Sequence, residues 1–456
     1  MILLGLLSLL LAVTPPRTFR VDYFHTGTAA GEQFSLDREV LEPLPWPGNP
    51  RKPIDETNSG KYLFEVRDRA TNRLEYSRGF SSIYGEWETT AEAKELARTF
   101  SESLRFPAPV APVQILLKKR DPRTNAFREI WSLLVDPKDM FIDDSNPASA
   151  GPLLKLQDKG DPATHVDLLI LGDGYTDRQR GKFESDARRL VELLFQNSPF
   201  KERRDDFNVW GLCPPSAEPG ISRPSTGVHK RTPLGATYDA FGSERYVLTF
   251  ENRAFREAAS QAPYELVEIL ANGQTYGGGG IFNLYSTVAA DSLWAPYVFV
   301  HEFGHHIAGL ADEYFTSDVS YQGDAGRLEP WEPNVTADPQ HPKWPTTPGV
   351  PLPTPWDEQG FIQYEKGIQA RRRQIRSDRR PESDMDALFK EEKAADMKHL
   401  LGEKHARAVG AFEGANYESK GYYRAQTDCK MFTRDDVPFC AACRSALERI
   451  IDLDTR

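Results

Sequence analysis

The segment from His165 to Phe195, HVDLLILGDGYTDRQRGKFESDARRLVELLF, constrains the fold most, because it predicts a buried strand, a tight turn and an amphipathic helix in succession. The strand is centred on Leu168 to Leu171, and Thr176 and Gln179 stand at the spacing of a capping box. Apolar residues at helical spacing predict one buried helix face: Phe183, Ala187, Leu190, Val191 and Leu194. FNVWGL and RYVLTF predict further strands. This part of the chain is therefore expected to be α/β.

The N-terminal third has a different pattern, of short strands between turns. The stretch EPLPWPGNPRKP cannot form a regular element, and only TTAEAKELARTFSESL, from Thr89, predicts a helix. DPKDMFIDDSNPASAGP, from Asp136, has the composition of a linker. With 456 residues, two domains are expected: a β-rich domain over residues 17–145 and a second domain of α+β or α/β type over residues 160–456.

Two segments stand apart from these domains. Residues 357–408 are strongly charged and predict a helical insertion that includes RRRQIRSDRR; a solvated surface is favoured over a basic docking patch. Residues 1–16 fit a signal peptide, because the apolar run from Ile2 to Val13 is too short to span a bilayer but suits an export signal. A mis-assigned start or a buried N-terminal strand is the alternative, since neither Lys nor Arg precedes the run.

The charge balance limits the classes of partner that the protein is expected to bind. The chain has 67 acidic and 56 basic residues, a formal net charge of −11, which argues against nucleic acid as a partner. No stretch after the leader is long and apolar enough to predict a transmembrane helix. We therefore expect a soluble acidic protein that is secreted or periplasmic.

The segment HEFGHHIAGLADEYF, residues 301–315, gathers histidines and carboxylates. His301 and His305 are four residues apart, so on a helix both side chains leave the same face and can share one metal ion. Gly309 permits a left-handed turn that returns Asp312 toward the two histidines. The adjacent Glu313 also has a carboxylate that can bind zinc, but it lies one residue further from Gly309 and is expected to point in a different direction. The spacing predicts zinc bound by His301, His305 and Asp312.

Three protein ligands would leave one coordination position open, which is typical of catalytic rather than structural zinc. Glu302 lies between the histidines and is expected to be the general base that takes a proton from the attacking water and passes it to the departing amine. The sequence thus predicts hydrolysis of peptide bonds in a protein or peptide substrate.

The sequence also resembles a known family. HEFGHHIAGLADEY, GFSSIYGEWETTAEA, LLILGDGYT, YGGGGIFNLYS, EPWEPNVT, VGAFEGANY and YYRAQTDCKM are similar to the bacterial IgA peptidases, metallopeptidase family sixty-four. The resemblance implies a β-sandwich-like N-terminal domain before a metzincin-like zinc endopeptidase domain with a mixed sheet and an active-site helix. It also implies that Met431 lies in a methionine turn beneath the metal.

Cysteines and tyrosines supply further candidates. Cys429, Cys440 and Cys443 are clustered near the C-terminus; if the chain is exported, a disulfide from Cys429 to one of the other two is favoured over a second metal site. Any of three tyrosines could donate a hydrogen bond to the oxyanion of the reaction, although ordinary packing is the simpler role for each: Tyr314, Tyr422 and Tyr423.

A different class of function stays open. A carbohydrate- or protein-binding surface module could retain a peptidase fold after losing its activity. Such decay usually removes a ligand or the base, whereas His301, Glu302, His305 and Asp312 are all present.

Overall fold

The computed structural model describes residues 15–316 and 328–455. The N-terminal region contains two antiparallel sheets, of strand order β2-β1-β5 and β4-β3-β6-β7. Its elements are β1 (Arg17–Thr28), β2 (Gly31–Pro45), β3 (Tyr62–Asp68), β4 (Leu74–Phe80), α1 (Ile83–Trp87), α2 (Glu92–Glu95), β5 (Arg98–Pro107), β6 (Val113–Arg120) and β7 (Phe127–Val135). Both sheets contribute to one core, in which Phe19 and Val21 of β1 join Phe64 of β3 and Ile115 of β6. The N-terminal region is therefore β-rich, as the sequence predicts.

The predicted helix from Thr89 is wrong over most of its length. Only the four residues of α2 are helical, and RTFSESL lies in β5. Pairing with β1 buries every second residue of β5, including Phe100, Leu104 and Phe106. The tertiary contacts of an alternating strand have overridden the local helix propensity.

The rest of the chain is built on a six-stranded mixed sheet of order β12-β13-β11-β9-β10-β8. The four central strands are parallel, and β8 and β12 are antiparallel edge strands. The elements of this region are β8 (Leu154–Gln157), β9 (Val166–Asp173), α3 (Arg180–Leu194), β10 (Phe207–Leu212), α4 (Asn252–Ala259), β11 (Leu266–Ala271), β12 (Gly278–Ile281), β13 (Tyr285–Ala289) and α5 (Ala295–Ala308). All eight residues of β9 are buried, and its apolar centre from Leu168 to Leu171 is typical of a central parallel strand.

The strand, capping box and helix predicted between His165 and Phe195 are confirmed. Thr176 and Gln179 form a capping box ahead of α3, and the five predicted face residues of that helix are buried. FNVWGL is strand β10. RYVLTF, in contrast, makes only isolated bridges through Tyr246 and Leu248, so the predicted strand at this position is wrong.

Helices cover the two faces of the mixed sheet unequally. Residues of α3 and α5 pack on the face formed by Val166, Leu168 and Ile170, together with the C-terminal helix. Leu169 and Leu171 point to the opposite face, where they join Trp87 and Phe100 of the N-terminal region in one core. The alternation of β9 thus gives one face to α5 and the other to the N-terminal region.

The C-terminal part adds β14 (Val335–Thr336), α6 (Glu358–Ser377), α7 (Glu382–Leu401), β15 (Phe412–Ala415), β16 (Glu418–Arg424) and α8 (Ala441–Thr455). Helices α6 and α7 occupy the charged segment, so its predicted helicity is confirmed. The segment is solvated on one side only: most residues of RRRQIRSDRR are exposed, whereas the other side of the two helices is buried. Phe361, Ile368 and Met385 are buried in the main core, and the Phe389 ring lies 5.0 Å from that of Tyr276.

Two further predictions concern a signal peptide at the N-terminus and the absence of a transmembrane helix after it. Residues 1–14 of the predicted signal peptide lie outside the described residues. Within the part of the chain that the structure describes, no helix has both the length and the apolar character needed to cross a membrane.

Candidate active site

Helix α5 carries the two histidines and the glutamate of the HEFGH segment, and it ends immediately after them. Gly309 caps the helix at φ 58°, in the left-handed region, as the sequence predicts. A Cβ atom at Gly309 would also lie 2.6 Å from the ring of Trp331. Glycine is therefore required both by the backbone conformation and by the close approach of Trp331.

The turn after Gly309 brings Asp312 onto the two histidines. Asp312 Oδ1 lies 3.0 Å from His301 Nε2 and 3.3 Å from His305 Nε2, and the two Nε2 atoms are 3.2 Å apart. Tetrahedral ligand atoms about 2.0 to 2.1 Å from a zinc ion are roughly 3.3 Å from one another. The three predicted ligand atoms therefore stand at the corners of a triangle of the size that zinc requires.

The hydrogen bonds of both histidines leave the metal-facing nitrogens available. His301 Nδ1 donates to the backbone carbonyl of Lys430 at 3.0 Å, and His305 Nδ1 donates to that of Leu310 at 2.5 Å. Donation from Nδ1 selects the tautomer whose Nε2 lone pair is free. Both rings are thus oriented as neutral ligands.

Asp312 is a buried carboxylate held in place from one side. Tyr417 donates its hydroxyl to Oδ2, while Oδ1 lies between the two Nε2 atoms and receives no further hydrogen bond among the described residues. Burial opposes ionisation of Asp312, but the neighbouring His305 and His301 hold its pKa well below the ordinary value. A buried carboxylate whose oxygen lies between two neutral imidazoles needs a positive charge, which a metal ion can supply.

The pKa of His305 is also shifted by its contact with Asp312. Burial alone would lower its pKa, but Asp312 and Glu302 raise it to about 9. The pocket between these side chains therefore favours positive charge, and a divalent cation can take the place of the proton. The donor set of two imidazoles and one carboxylate fits zinc.

Glu302 lies beside this triangle. Its carboxylate is within 4.8 Å of the ligand atoms of both His301 and His305, and the side chain is half-buried. Burial raises its pKa above the ordinary value, against the opposing effect of the two histidines. A carboxylate with a raised pKa at this position can accept and return a proton.

Met431 packs under the helix between the histidines. It is completely buried, and a Cβ atom at Gly304 would lie 3.2 Å from its Sδ. The Met431 carbonyl accepts from the Glu313 amide at 2.8 Å. The chain segment that carries Met431 therefore supports both α5 and the turn that bears Asp312.

The three tyrosine candidates lie differently with respect to the site. Tyr314 stacks on the His301 ring at 6.3 Å between centroids, and its hydroxyl accepts from Arg245 Nη2 at 2.9 Å. Tyr422 and Tyr423 instead donate to the Leu328 carbonyl and to Glu413. Of the three tyrosine candidates, only Tyr314 contacts a predicted metal ligand.

Sequence reasoning missed Tyr417 and Arg245. Both come from segments without a recognisable motif, and each reaches the site only through the folded chain. VGAFEGANY, which ends at Tyr417, was among the stretches that carried the family resemblance. That resemblance was the one signal that could have pointed to Tyr417.

His306 and the cysteines lie on the other sides of α5. His306 Nε2 accepts from the Val267 amide at 3.0 Å, so its side chain points to the sheet and away from the metal ligands, as its helical position predicts. All four cysteines are free thiols. The structure does not contain the expected disulfide; instead, the three thiols of Cys429, Cys440 and Cys443 meet around Glu313.

The sequence matches two family models over most of its length. Residues 154–451 match the model described as IgA Peptidase M64, and residues 12–132 match the one described as Peptidase M64 N-terminus. A search of curated proteins finds no match. The first range includes α5, the Asp312 turn, Tyr417 and Met431, so the whole candidate site lies within the matched region. The chain belongs to the IgA peptidase M64 family and is a peptidase.

Proposed function

We propose that this peptidase is a secreted, zinc-dependent endopeptidase that cleaves peptide bonds within protein chains. One observation carries the proposal: the atoms His301 Nε2, His305 Nε2 and Asp312 Oδ1 lie 3.0 to 3.3 Å from one another. Nothing else among the described side chains satisfies Asp312 Oδ1, which is the expected condition of a metal ligand when its metal is absent.

Each residue has a separate task in this proposal. His301, His305 and Asp312 hold the zinc, which when bound would polarise the substrate carbonyl and lower the pKa of a coordinated water to about 7. Glu302 accepts the proton of the attacking water at its carboxylate and delivers it to the amide nitrogen as the amine departs. The Tyr314 hydroxyl, held by Arg245, is the described candidate for orienting the substrate carbonyl beside His301.

The alternative is a surface-binding module with a decayed peptidase fold. The geometry opposes it, because the ligand atoms, their Nδ1 acceptors and the Tyr417 contact to Asp312 are all in place. A binding module would gain nothing from keeping a buried carboxylate between two oriented imidazoles. Tight binding of a protein without cleavage, by zinc-loaded enzyme, would favour the module.

Removing the metal is expected to abolish hydrolysis, and returning zinc is expected to restore it. The measurement is mass spectrometry of peptides released from a denatured protein mixture, with immunoglobulin A as a separate substrate. Magnesium should not restore activity, because it prefers six oxygen ligands to an imidazole-rich site. Activity that persists without any transition metal would contradict the proposal.

A histidine pair provides the matched control for this experiment. His305→Ala should not regain activity with zinc, since it lacks a ligand. His341→Ala should behave as the unmodified enzyme, because the His341 side chain is 86% exposed and contacts Asp338.

Export is expected to yield a mature chain that begins shortly after Val13. The apolar run from Ile2 to Val13 motivates this part of the proposal. N-terminal sequencing of the protein recovered outside the cytoplasm measures it. A double Leu9→Arg and Leu10→Arg variant should stay inside as the control, and an intact Met1 on exported protein would count against cleavage.

A further inference from the structure

A second group of metal-binding side chains lies behind the candidate active site. Cys429, Cys440, Cys443 and Glu313 are all buried, and their potential ligand atoms lie within 4.8 Å of one another. Cys429 Sγ is 3.7 Å from Cys443 Sγ. Glu313 Oε1 is 3.4 Å from Cys440 Sγ and 3.2 Å from Cys443 Sγ. Four donors from three chain segments therefore face one point.

These separations match a tetrahedral metal site. Zinc binds sulfur at about 2.3 Å and carboxylate oxygen at about 2.0 Å, which places two sulfurs roughly 3.8 Å apart and a sulfur and an oxygen roughly 3.5 Å apart. A single disulfide would use two of the thiols and leave the third thiol and a buried carboxylate without a function. The grouping of all four donors favours a metal.

Independent contacts also indicate a missing ligand. Glu313 Oε2 is buried without a hydrogen-bond partner among the described residues, while Oε1 accepts from Asn334 Nδ2 at 3.0 Å. Cys429 Sγ receives two backbone amides, from Cys440 at 3.1 Å and from Met431 at 3.4 Å. Amide donation to sulfur stabilises the thiolate that a metal ion binds.

We propose that Cys429, Cys440, Cys443 and Glu313 bind a second, structural zinc ion. Four protein ligands close the coordination sphere, so this zinc lacks the open position that hydrolysis needs. This site and the proposed catalytic zinc site have no ligand in common. The two proposals can therefore be tested independently.

The location of this site gives it a positioning role. Glu313 follows Asp312 directly, and Cys429 precedes Lys430, whose carbonyl holds the His301 ring. Cys440 immediately precedes α8, and Cys443 lies in its first turn. One ion would therefore fasten the turn that bears Asp312, the segment beneath α5 and the C-terminal helix to one another.

Zinc content of the purified full-length protein tests the proposal. The unmodified chain should contain two zinc ions, and the double variant His301→Ala/His305→Ala should contain one. Cys440→Ser/Cys443→Ser should lose the other. Cys213→Ser is the matched control and should keep both, because Cys213 is a buried thiol outside the cluster. A single zinc in the unmodified chain that disappears in the histidine variant would overturn the proposal.

Cobalt replacement gives a second measurement that does not depend on the cysteine variants folding. In the histidine double variant, bound cobalt should show the intense near-ultraviolet charge-transfer absorption of thiolate ligands. Cobalt bound without that absorption would overturn the proposal, as would a chain mass lower by two hydrogens because of a disulfide. Failure of the peptidase mechanism would instead appear as full zinc occupancy without peptide release.

Discussion

Glu302→Gln is expected to lower the rate of peptide hydrolysis by about 100- to 10,000-fold, the usual contribution of general acid–base catalysis. The amide is nearly isosteric with the carboxylate but cannot accept the proton of the attacking water. Since Glu302 stands beside the ligand triangle and His301, His305 and Asp312 supply three ligands, zinc content should not change. Rates of peptide release and zinc content, measured on the same preparation, test both statements.

The control for this variant is Glu448→Gln, on the exposed side of α8, where the Glu448 side chain is 48% exposed. It should leave both zinc content and turnover unchanged. Undiminished turnover by Glu302→Gln would reject Glu302 as the base. Loss of zinc from Glu302→Gln would assign Glu302 as a ligand, because its carboxylate is also within reach of both histidines.

Asp312→Ala is expected to weaken zinc binding at the active site by at least about 100-fold, beyond the loss that follows removal of a residue that only orients a ligand. Hydrolysis should fall with it. The reason is that Asp312 Oδ1 is the third corner of the ligand triangle and the one negative charge of that triangle. Competition for zinc with a chelator of known affinity measures the change.

Two neighbouring variants separate the roles of residues near Asp312. Tyr417→Phe removes the hydroxyl that holds Oδ2 and should weaken zinc binding about 10- to 100-fold, the range for residues that orient a ligand. Glu313→Ala should leave the active-site zinc in place, because Glu313 faces the cysteines. If Glu313→Ala loses the active-site zinc and Asp312→Ala retains it, the ligand assignment is reversed.

The sequence predicts those parts of the site that are local in the chain. His301, Glu302 and His305 follow from helical spacing, and Asp312 follows from a glycine turn whose left-handed φ the structure contains. The strand at Leu168 and the capping box at Thr176 are local as well. Such features are predictable because the physical cause lies within a few residues of its effect.

Features that depend on remote contacts could not be predicted in the same way. RTFSESL has a helical composition but forms β5 because β1 pairs with it. Phe389 of the charged helix α7 packs against Tyr276, and Phe361 and Ile368 of α6 are buried in the main core. Arg245 carries no motif that links it to Tyr314. In each case the deciding partner is far away in the sequence.

The cysteine cluster illustrates a different difficulty. Cys440 and Cys443 have the spacing of many zinc sites, but no histidine nearby completes the set, and the fourth donor is Glu313. In the sequence, Glu313 stands out only as a neighbour of Asp312 with the same ligand chemistry. Its side chain leaves the turn on the opposite side, which adjacent residues in an extended segment are free to do.

The separation of the site's parts along the chain sets the order in which they can assemble during synthesis. The three ligand residues lie within the short span from His301 to Asp312, so closing that loop costs little entropy. The contacts that orient them span 105 residues to Tyr417 and 129 residues to Lys430. A ribosome that has made α5 must still deliver both partners. We therefore expect a nascent chain to be unable to cleave neighbouring proteins until its C-terminal segment has emerged and docked.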